Sequence, residues 1–322
     1  MLNRIATVLK EGKCFLLVTH SDPDLDGIGS MLALGKALLN EGKDVVVLTG
    51  KPVSAPFNLL KGSERIVQSF DSEIDFDAVV VLDCGEIKRI SGFHKFIEGH
   101  KFLVNIDHHE TNDFFGDLNL VDSNSSSTGE LVFRVIMAAG LSIDYEVAEN
   151  IFVAIHTDTG SFSYENTTSA SLKIAAKMME YGVKPWELSR KVIDGYSLSR
   201  LRLLEMALGN IEFHYEGKIG MMTLSIEMFK KAQANQEDSE KFVNYPRFVS
   251  GVEIGVLIRQ TDGNDYKFSL RSNSKVNVAQ LASKFGGGGH VRAAGFKCHG
   301  SLETVKKNFL KEASKLFDGI SN

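Results

Sequence analysis

The chain has 322 residues, 43% of them apolar and 24% charged, with a formal net charge of −5, which is an ordinary composition for a globular protein. No apolar run approaches the roughly 20 residues needed to cross a bilayer. Three cysteines at scattered spacings, Cys14, Cys84 and Cys298, exclude both a disulfide framework and a zinc-finger pattern.

A length of this order predicts two domains. The opening "MLNRIATVLKEGK" is amphipathic and too charged for the core of a signal peptide, so a cytoplasmic protein is expected. Apolar runs of strand length follow at 14–18 ("CFLLV"), 44–48 ("DVVVL"), 77–83 ("DAVVVLD") and 101–107 ("KFLVNID"). Continuous runs of this kind suit parallel strands buried on both faces. Between the first two lies a helical pattern, "GIGSMLALGKALLNEG", closed by Gly42. The alternation of strand and helix predicts an N-terminal, doubly wound α/β domain with a mostly parallel sheet over 1–186.

A helix is predicted over 128–140, where Ser127 and Glu130 have the spacing of a capping box. "YEVAENIFVAIHTD" (145–158) and "SASLKIAAKMMEYG" (169–182) read as two more. Residues 187–215 are expected to be a polar, largely helical connector. From 216 the period changes to alternating stretches, "KIGMMTLS", "VEIGVLIRQ" and "YKFSLRS", interrupted by helical pieces at 224–235, 276–285 and 301–317. That pattern predicts a smaller C-terminal mixed α/β domain over 216–322. The two parts differ in charge: 1–215 has 20 Lys+Arg against 30 Asp+Glu, net −10, and 216–322 has 16 against 11, net +5. An acidic part joined to a basic one suggests a division of labour.

In an open parallel sheet, ligands sit at the carboxyl ends of the strands. The first run is followed by His20, Asp22, Asp24 and Asp26, the third by Asp83, and the fourth ends in Asp107-His108-His109. The helical segment near 150 adds His156 and Asp158. Hard oxygen donors with a minority of imidazole suit Mn²⁺ or Mg²⁺ better than Zn²⁺. So many donors would over-supply one ion, and two ions sharing a carboxylate is the simpler arrangement, one suited to phosphoryl chemistry. Taken singly, each residue has a plainer reading. Asp22 before Pro23 is a turn residue, a lone Asp after a strand is a helix cap, and His156 is a local core histidine.

Read together, "HSDPDLD", "LDCG", "IDHH" and "TDTGSF" resemble, in order and spacing, the four motifs of the DHH phosphoesterases. "FSLRS" (268–272) and "FGGGGHVRAAG" (285–295) resemble the DHHA1 domain that follows in one subfamily. The resemblance covers nearly the whole chain and is nearest to the stand-alone bacterial oligoribonuclease (nanoRNase) and pAp phosphatase type. The relatives include the RecJ exonuclease and cyclic di-AMP phosphodiesterases. In one departure, Leu25 stands where the family motif has glycine, and a bulky residue resists positive φ.

The resemblance implies a hydrolase of phosphoric ester bonds that uses two divalent cations, with Mn²⁺ preferred over Mg²⁺. His20, Asp24 and Asp83 would ligate one cation. Asp26, Asp83, His108 and Asp158 would ligate the other, with Asp83 bridging. His109 would face the phosphate and Asp107 would orient a histidine, so His109, Asp83 and Asp107 form the catalytic set. Four aspartates against two divalent cations leave the site near neutral, so a phosphate calls for further cations. Arg271 with Ser272 and His290 are the first candidates, with Arg247 and Arg292 behind them. Gly286, Gly287, Gly288 and Gly289 would let backbone N–H groups approach a phosphate, although a bare glycine run is equally a flexible loop.

The implied substrates are very short single-stranded RNA, cut to mononucleotides, and pAp, which would lose its 3′ phosphate. No extended basic tract suggests tracking along a long strand, and a homodimer is compatible with the sequence. Three rival readings remain: a phosphodiesterase for cyclic di-AMP or pApA, an inactive nucleotide-binding module, and a pyrophosphatase or polyphosphatase. Most of the 21 phenylalanines are expected in the core, and Trp186 is expected to pack rather than to serve a hinge.

Overall fold

A computed structural model of the chain describes residues 1–70, 74–90, 101–193, 196–273 and 276–317. The chain forms two compact units, Met1–Gly195 and Tyr196–Asn322.

The first unit starts with α1 (Leu2–Glu11), then β1 (Cys14–Val18), α2 (Leu25–Asn40) and β2 (Asp44–Leu48). Four further strands follow, β3 (Ile66–Val67), β4 (Ala78–Leu82), β5 (Leu103–Asp107) and β6 (Leu118–Val121). The unit closes with helices α3 (Thr128–Ala139), α4 (Tyr145–Asp158), α5 (Ser169–Glu180) and α6 (Pro185–Leu188). The six described strands pair in the order β3-β2-β1-β4-β5-β6, and every pairing is parallel.

The continuous apolar runs have the physical reason expected of them, because both faces of the sheet are covered. Phe15, Leu17, Val80, Leu82, Val104 and Ile106 join a core to which every described α-helix of the unit contributes. Leu16, Val18, Val79 and Val81 face the other way, onto Phe76, Cys84 and Ile90. The strand order reverses between β1 and β4, which opens a crevice beyond their carboxyl ends.

Side-chain caps fix where the helices begin. Asp24 Oδ1 accepts from the backbone N–H of Asp26 and Gly27, both at 3.0 Å, at the start of α2. Leu25 is therefore the first helical residue, and no positive φ is required at the position where the family has glycine. Ser127 caps α3 by accepting from Glu130 N at 3.2 Å. The expected box is only half formed, because the Glu130 carboxylate accepts from Ser126 N and Oγ instead.

The second unit holds α7 (Leu198–Leu208), β7 (Glu212–His214), β8 (Ile219–Leu224), α8 (Ile226–Ala232) and α9 (Asn244–Arg247). These are followed by β9 (Ile254–Asp262), β10 (Asp265–Ser272), α10 (Val278–Ser283), β11 (Gly288–His290), β12 (Ala293–His299) and α11 (Leu302–Ser314). The sheet order is β11-β12-β10-β9-β8-β7. It is mixed, because β8 and β9 pair parallel and the other pairings are antiparallel. Phe268, Phe285 and Phe296 stack at 4.5 and 4.6 Å between ring centres, so these aromatic rings serve the core.

Residues 187–215, read from the sequence as a connector, are shared between the units. Leu188 and Val192 join the first core. Leu203 and Ala207 of α7 pack with Met222, Leu224, Phe242 and Leu257 in the second. Residues 194 and 195 of that stretch lie outside the described residues. Trp186 is 69% exposed, so the packing role expected of it is not met; the Arg190 guanidinium lies 5.6 Å from its ring centre. Among the described residues no helix is long and apolar enough to cross a membrane.

Because Leu203 is fully buried, Leu203→Ala should lower stability by about 2–5 kcal/mol in urea unfolding. A loss below about 0.5 kcal/mol would return α7 to the role of a solvated connector.

Candidate metal centre

Chain turns at the carboxyl ends of β1, β4 and β5 bring the strand-end residues together. After β1, Thr19 and His20 are still buried. After β4, Asp83 takes φ 57°, a left-handed conformation uncommon outside glycine but tolerated by aspartate. That bend ends the strand and leaves a carboxylate only 1% exposed. Gly27, in the first turn of α2, is pressed against it. A Cβ there would lie 2.6 Å from Thr19 Oγ1 and 3.2 Å from Asp83 Oδ2.

The donor atoms surround a common space. His20 Nε2 lies 3.8 Å from Asp83 Oδ2. His108 Nε2 is 3.7 Å from Asp26 Oδ2, 3.8 Å from Asp83 Oδ1 and 3.7 Å from Asp158 Oδ2. These separations are too long for hydrogen bonds. They are what donors about 2.1 Å from a shared cation would show across its coordination shell. Ligand atoms of His20, Asp24 and Asp83 lie within 4.8 Å of one another, and so do those of Asp26, His108 and Asp158. A third such group, Asp83 with His108 and His109, links the two. Asp24 spends Oδ1 on the helix cap, which leaves its other oxygen for a cation.

Electrostatics gives these donors a reason to bind cations. Burial, then Asp158 and Asp24, push the Asp26 carboxyl well above its ordinary range. Burial, then Asp24 and Asp26, do the same to Asp83. Asp158 is raised chiefly by burial. Asp83 Oδ2 is buried and has no hydrogen-bond partner among the described residues. Burial opposes protonation of His108, but Asp158, Asp83 and Asp107 carry its pKa upward. Burial, and next the Arg89 guanidinium, lower His20 to about 4. A crowd of buried carboxylates with imidazoles among them fits hard divalent cations.

A surrounding layer fixes the donors, and much of it was not read from the sequence. The N-terminus of α3 points at the site. Thr128 N and Gly129 N donate to the two oxygens of Asp26 at 2.7 and 2.9 Å, and Thr128 Oγ1 donates to Asp83 Oδ1 at 3.0 Å. These residues follow Ser127, in the stretch whose spacing predicts a helix cap. Asp107, fully buried, lies 2.7 Å from His109 Nδ1 and accepts from Asn112 Nδ2 at 2.6 Å. Asn112 is held in turn by Asn105 Oδ1 at 2.8 Å. Asn166 donates to Asp158 Oδ2 at 3.1 Å. Arg89 Nη2 lies 3.2 Å from His20 Nδ1.

Two of the residues singled out beside these motifs, one after β1 and one in α4, stay out of the cluster. Asp22 is exposed. His156 stacks on Phe152 at 5.4 Å and meets Ser161 and Ser189 hydroxyls, which supports the plainer reading made of it.

In the second unit, Arg271 and Ser272 end β10. The register sets Arg271 opposite Ala293, and Ala293 opposite His290, so the three backbones span two strand spacings of about 5 Å each. Arg271 Nη1 donates to Leu270 O at 3.0 Å, and Ser272 is buried. The glycine run is less open than a bare loop. A Cβ on Gly287 would meet Gly295 O at 2.2 Å, and one on Gly289 would meet Ala293 O at 2.4 Å. Gly286 has φ 74°, and of the four only Gly288 has both an unexceptional φ and open space around it.

An open α/β sheet with carboxylates and imidazoles gathered at its switch point defines a class of α/β proteins able to hold divalent cations at the ligand-binding edge. Residues 14–155 match the DHH family, N-terminal domain, and 219–319 match the DHHA1 domain. The bifunctional oligoribonuclease and PAP phosphatase NrnA of Thermus thermophilus is 36% identical over 293 residues, 90% of this chain and 86% of its own. The Bacillus subtilis protein of the same name is 26% identical over 87% of this chain and 88% of its own. The crystal structure of an exopolyphosphatase-related protein from Bacteroides fragilis superimposes with a TM-score of 0.92 at 30% identity, covering 98% of this chain and 95% of that one. The chain belongs to the DHH family and carries its DHHA1 domain.

The raised carboxyl groups predict how cation binding depends on pH. A carboxyl raised by folding costs no stability below its ordinary value of 3.8. The cost then grows as pH climbs towards the raised value, where the folded state must give up its proton. A divalent cation takes the place of those protons. At one fixed concentration, Mn²⁺ should therefore stabilise the fold, and raise its thermal midpoint, more at about pH 8 than at about pH 5.5; a concentration 100 times its Kd corresponds to a gain of about 2.7 kcal/mol. Equal increments at both pH values, in calorimetry against EDTA controls, would show that no carboxyl proton is exchanged for the ion.

Proposed function

We propose that the protein hydrolyses short oligoribonucleotides to mononucleotides and removes the 3′ phosphate of pAp. The observation that carries this reading is the convergence of His20, Asp24, Asp26, Asp83, His108 and Asp158 on one space, in a chain whose full-length relatives bear that activity in their names. Two divalent cations, Mn²⁺ before Mg²⁺, would be held by His20, Asp24 and Asp83 and by Asp26, Asp83, His108 and Asp158. When bound they supply an activated water and positive charge for the phosphoryl group.

The chain's own residues do the rest. An ionised Asp107 can only accept, so His109 donates to it from Nδ1, and the doubly protonated ring has a second N–H, on Nε2, to donate to a phosphate oxygen. Thr128, Gly129 and Asn166 hold the carboxylates in place, so little reorganisation is needed as charge develops. Arg271, Ser272, His290 and the Gly286–Gly289 backbone of the second unit bind the nucleotide end of the substrate. The first unit is then catalytic, the second binds substrate, and the enzyme works in the cytoplasm.

A panel of short RNA, pAp, pApA and cyclic di-AMP, run with Mn²⁺ and with EDTA, tests the reading. Mononucleotides from RNA and phosphate from pAp are expected, and EDTA should abolish both. Asp83→Asn keeps a residue that tolerates positive φ while removing the charge. It should cost about 10³-fold or more in kcat, equivalent to about 4 kcal/mol, with an unchanged circular dichroism spectrum. Hydrolysis of cyclic di-AMP alone, or turnover that survives EDTA, would refute the assignment.

A further inference from the structure

The substrate's negative charge raises a demand that the ligand set leaves unmet. Four aspartates and two divalent cations sum to about zero, so each phosphate added makes the site anionic, most strongly as charge shifts onto its oxygens in the transition state. A fixed cation in the same unit would answer this, and Arg89 is placed to be one. It closes a short 3₁₀ turn, Ile87–Arg89, just after β4. Its backbone carbonyl accepts from Ser21 N at 2.8 Å, which ties it to the loop bearing His20. Its guanidinium is half-buried beside His20. Among the described residues no carboxylate lies within ion-pair distance of it.

The His20 ring shows where that guanidinium must go. Nε2 faces Asp83, and Nδ1 faces Arg89 at 3.2 Å. A guanidinium has donors only. A histidine that ligates through Nε2 keeps its proton on Nδ1, which is then a donor as well. Two donors do not bond, so ligation by His20 turns Arg89 towards another acceptor. On the far side of the imidazole, a phosphate at the cation pair would offer an acceptor of matching charge and fork geometry, within the sweep of a long arginine side chain.

We propose that Arg89 is the phosphate-binding cation of the first unit, contacting a non-bridging oxygen of the phosphoryl group under attack. This rests on the phosphoesterase reading above. It makes Arg89 a catalytic residue rather than a prop for His20.

Wild type, Arg89→Gln and Arg89→Lys separate the two roles through three measurements: pAp turnover, Mn²⁺ affinity by electron paramagnetic resonance, and competitive inhibition by inorganic phosphate. In Arg89→Gln, kcat/KM should fall about 100-fold and the inhibition constant for phosphate should rise about tenfold, because a charge-assisted contact is lost. Mn²⁺ affinity should hold or improve, since a nearby positive charge is gone. Arg89→Lys should recover part of the loss, and it carries the test alone if the glutamine variant does not fold. Mn²⁺ affinity falling in step with activity while phosphate inhibition stays unchanged would overturn the proposal, because Arg89 would then only position His20. An active wild type with an equally active Arg89→Gln overturns this inference alone. A wild type that hydrolyses no member of the substrate panel sinks the phosphoesterase reading and this inference with it.

Discussion

The structure of the first unit is governed by the burial of like charges. Asp26 and Asp83 are 2% and 1% exposed, Asp158 faces the same space, and burial resists ionisation of all three. A parallel sheet covered on both faces has no room for carboxylates along its strands. It can hold them only where the strands stop and the order reverses, beyond β1 and β4. The architecture therefore concentrates the acids. The α3 N-terminus, the imidazoles and a guanidinium all approach them, and each supplies positive or partially positive charge. On chemical grounds alone that set could hold hard cations.

How much of this was legible in the sequence depended on distance along the chain. The four main strands of the first sheet were legible because parallel strands buried on both faces are uniformly apolar. β3 and β6 were not: one is two residues long, and the other is an edge strand with alternating burial. β12 was hidden because "AAGFKCH" lacks the branched and aromatic density of a strand, and because the glycine run before it drew a ligand-binding reading. α7, rich in charge, looked like a connector although Leu203 and Ala207 give it a buried stripe. The ligands themselves were legible as strand-end residues. Their supports were not, because Thr128 meets Asp26 across 102 residues and Asn166 is a polar residue in a loop with no pattern around it.

The glycine run teaches a related lesson about the second unit. Open backbone for a phosphate accounts for at most part of it. Gly287 and Gly289 are required where β11 lies against β12, and Gly286 is required by its positive φ. A single short stretch thus answers to strand packing first. Any ligand contact uses the N–H groups that this packing leaves available. The register places those groups on the same rows as the end of β10, where Arg271 sits.

The adjacent residues Asp107, His108 and His109 show how strand geometry divides labour. Successive side chains along a strand point to opposite sides, and alternate ones share a side. Asp107 ends β5 and is fully buried. Two residues on, His109 returns to its side and meets it at 2.7 Å. His108, just beyond the strand's end, has Nε2 between 3.7 and 3.8 Å from three carboxylates, one of them Asp83, whose Oδ1 also lies 3.7 Å from His109 Nδ1. Two histidines with the same chemistry in solution share Asp83 and otherwise acquire different partners. One donates from Nδ1 to an acid, and the other is surrounded by acids that favour a positive charge in its place.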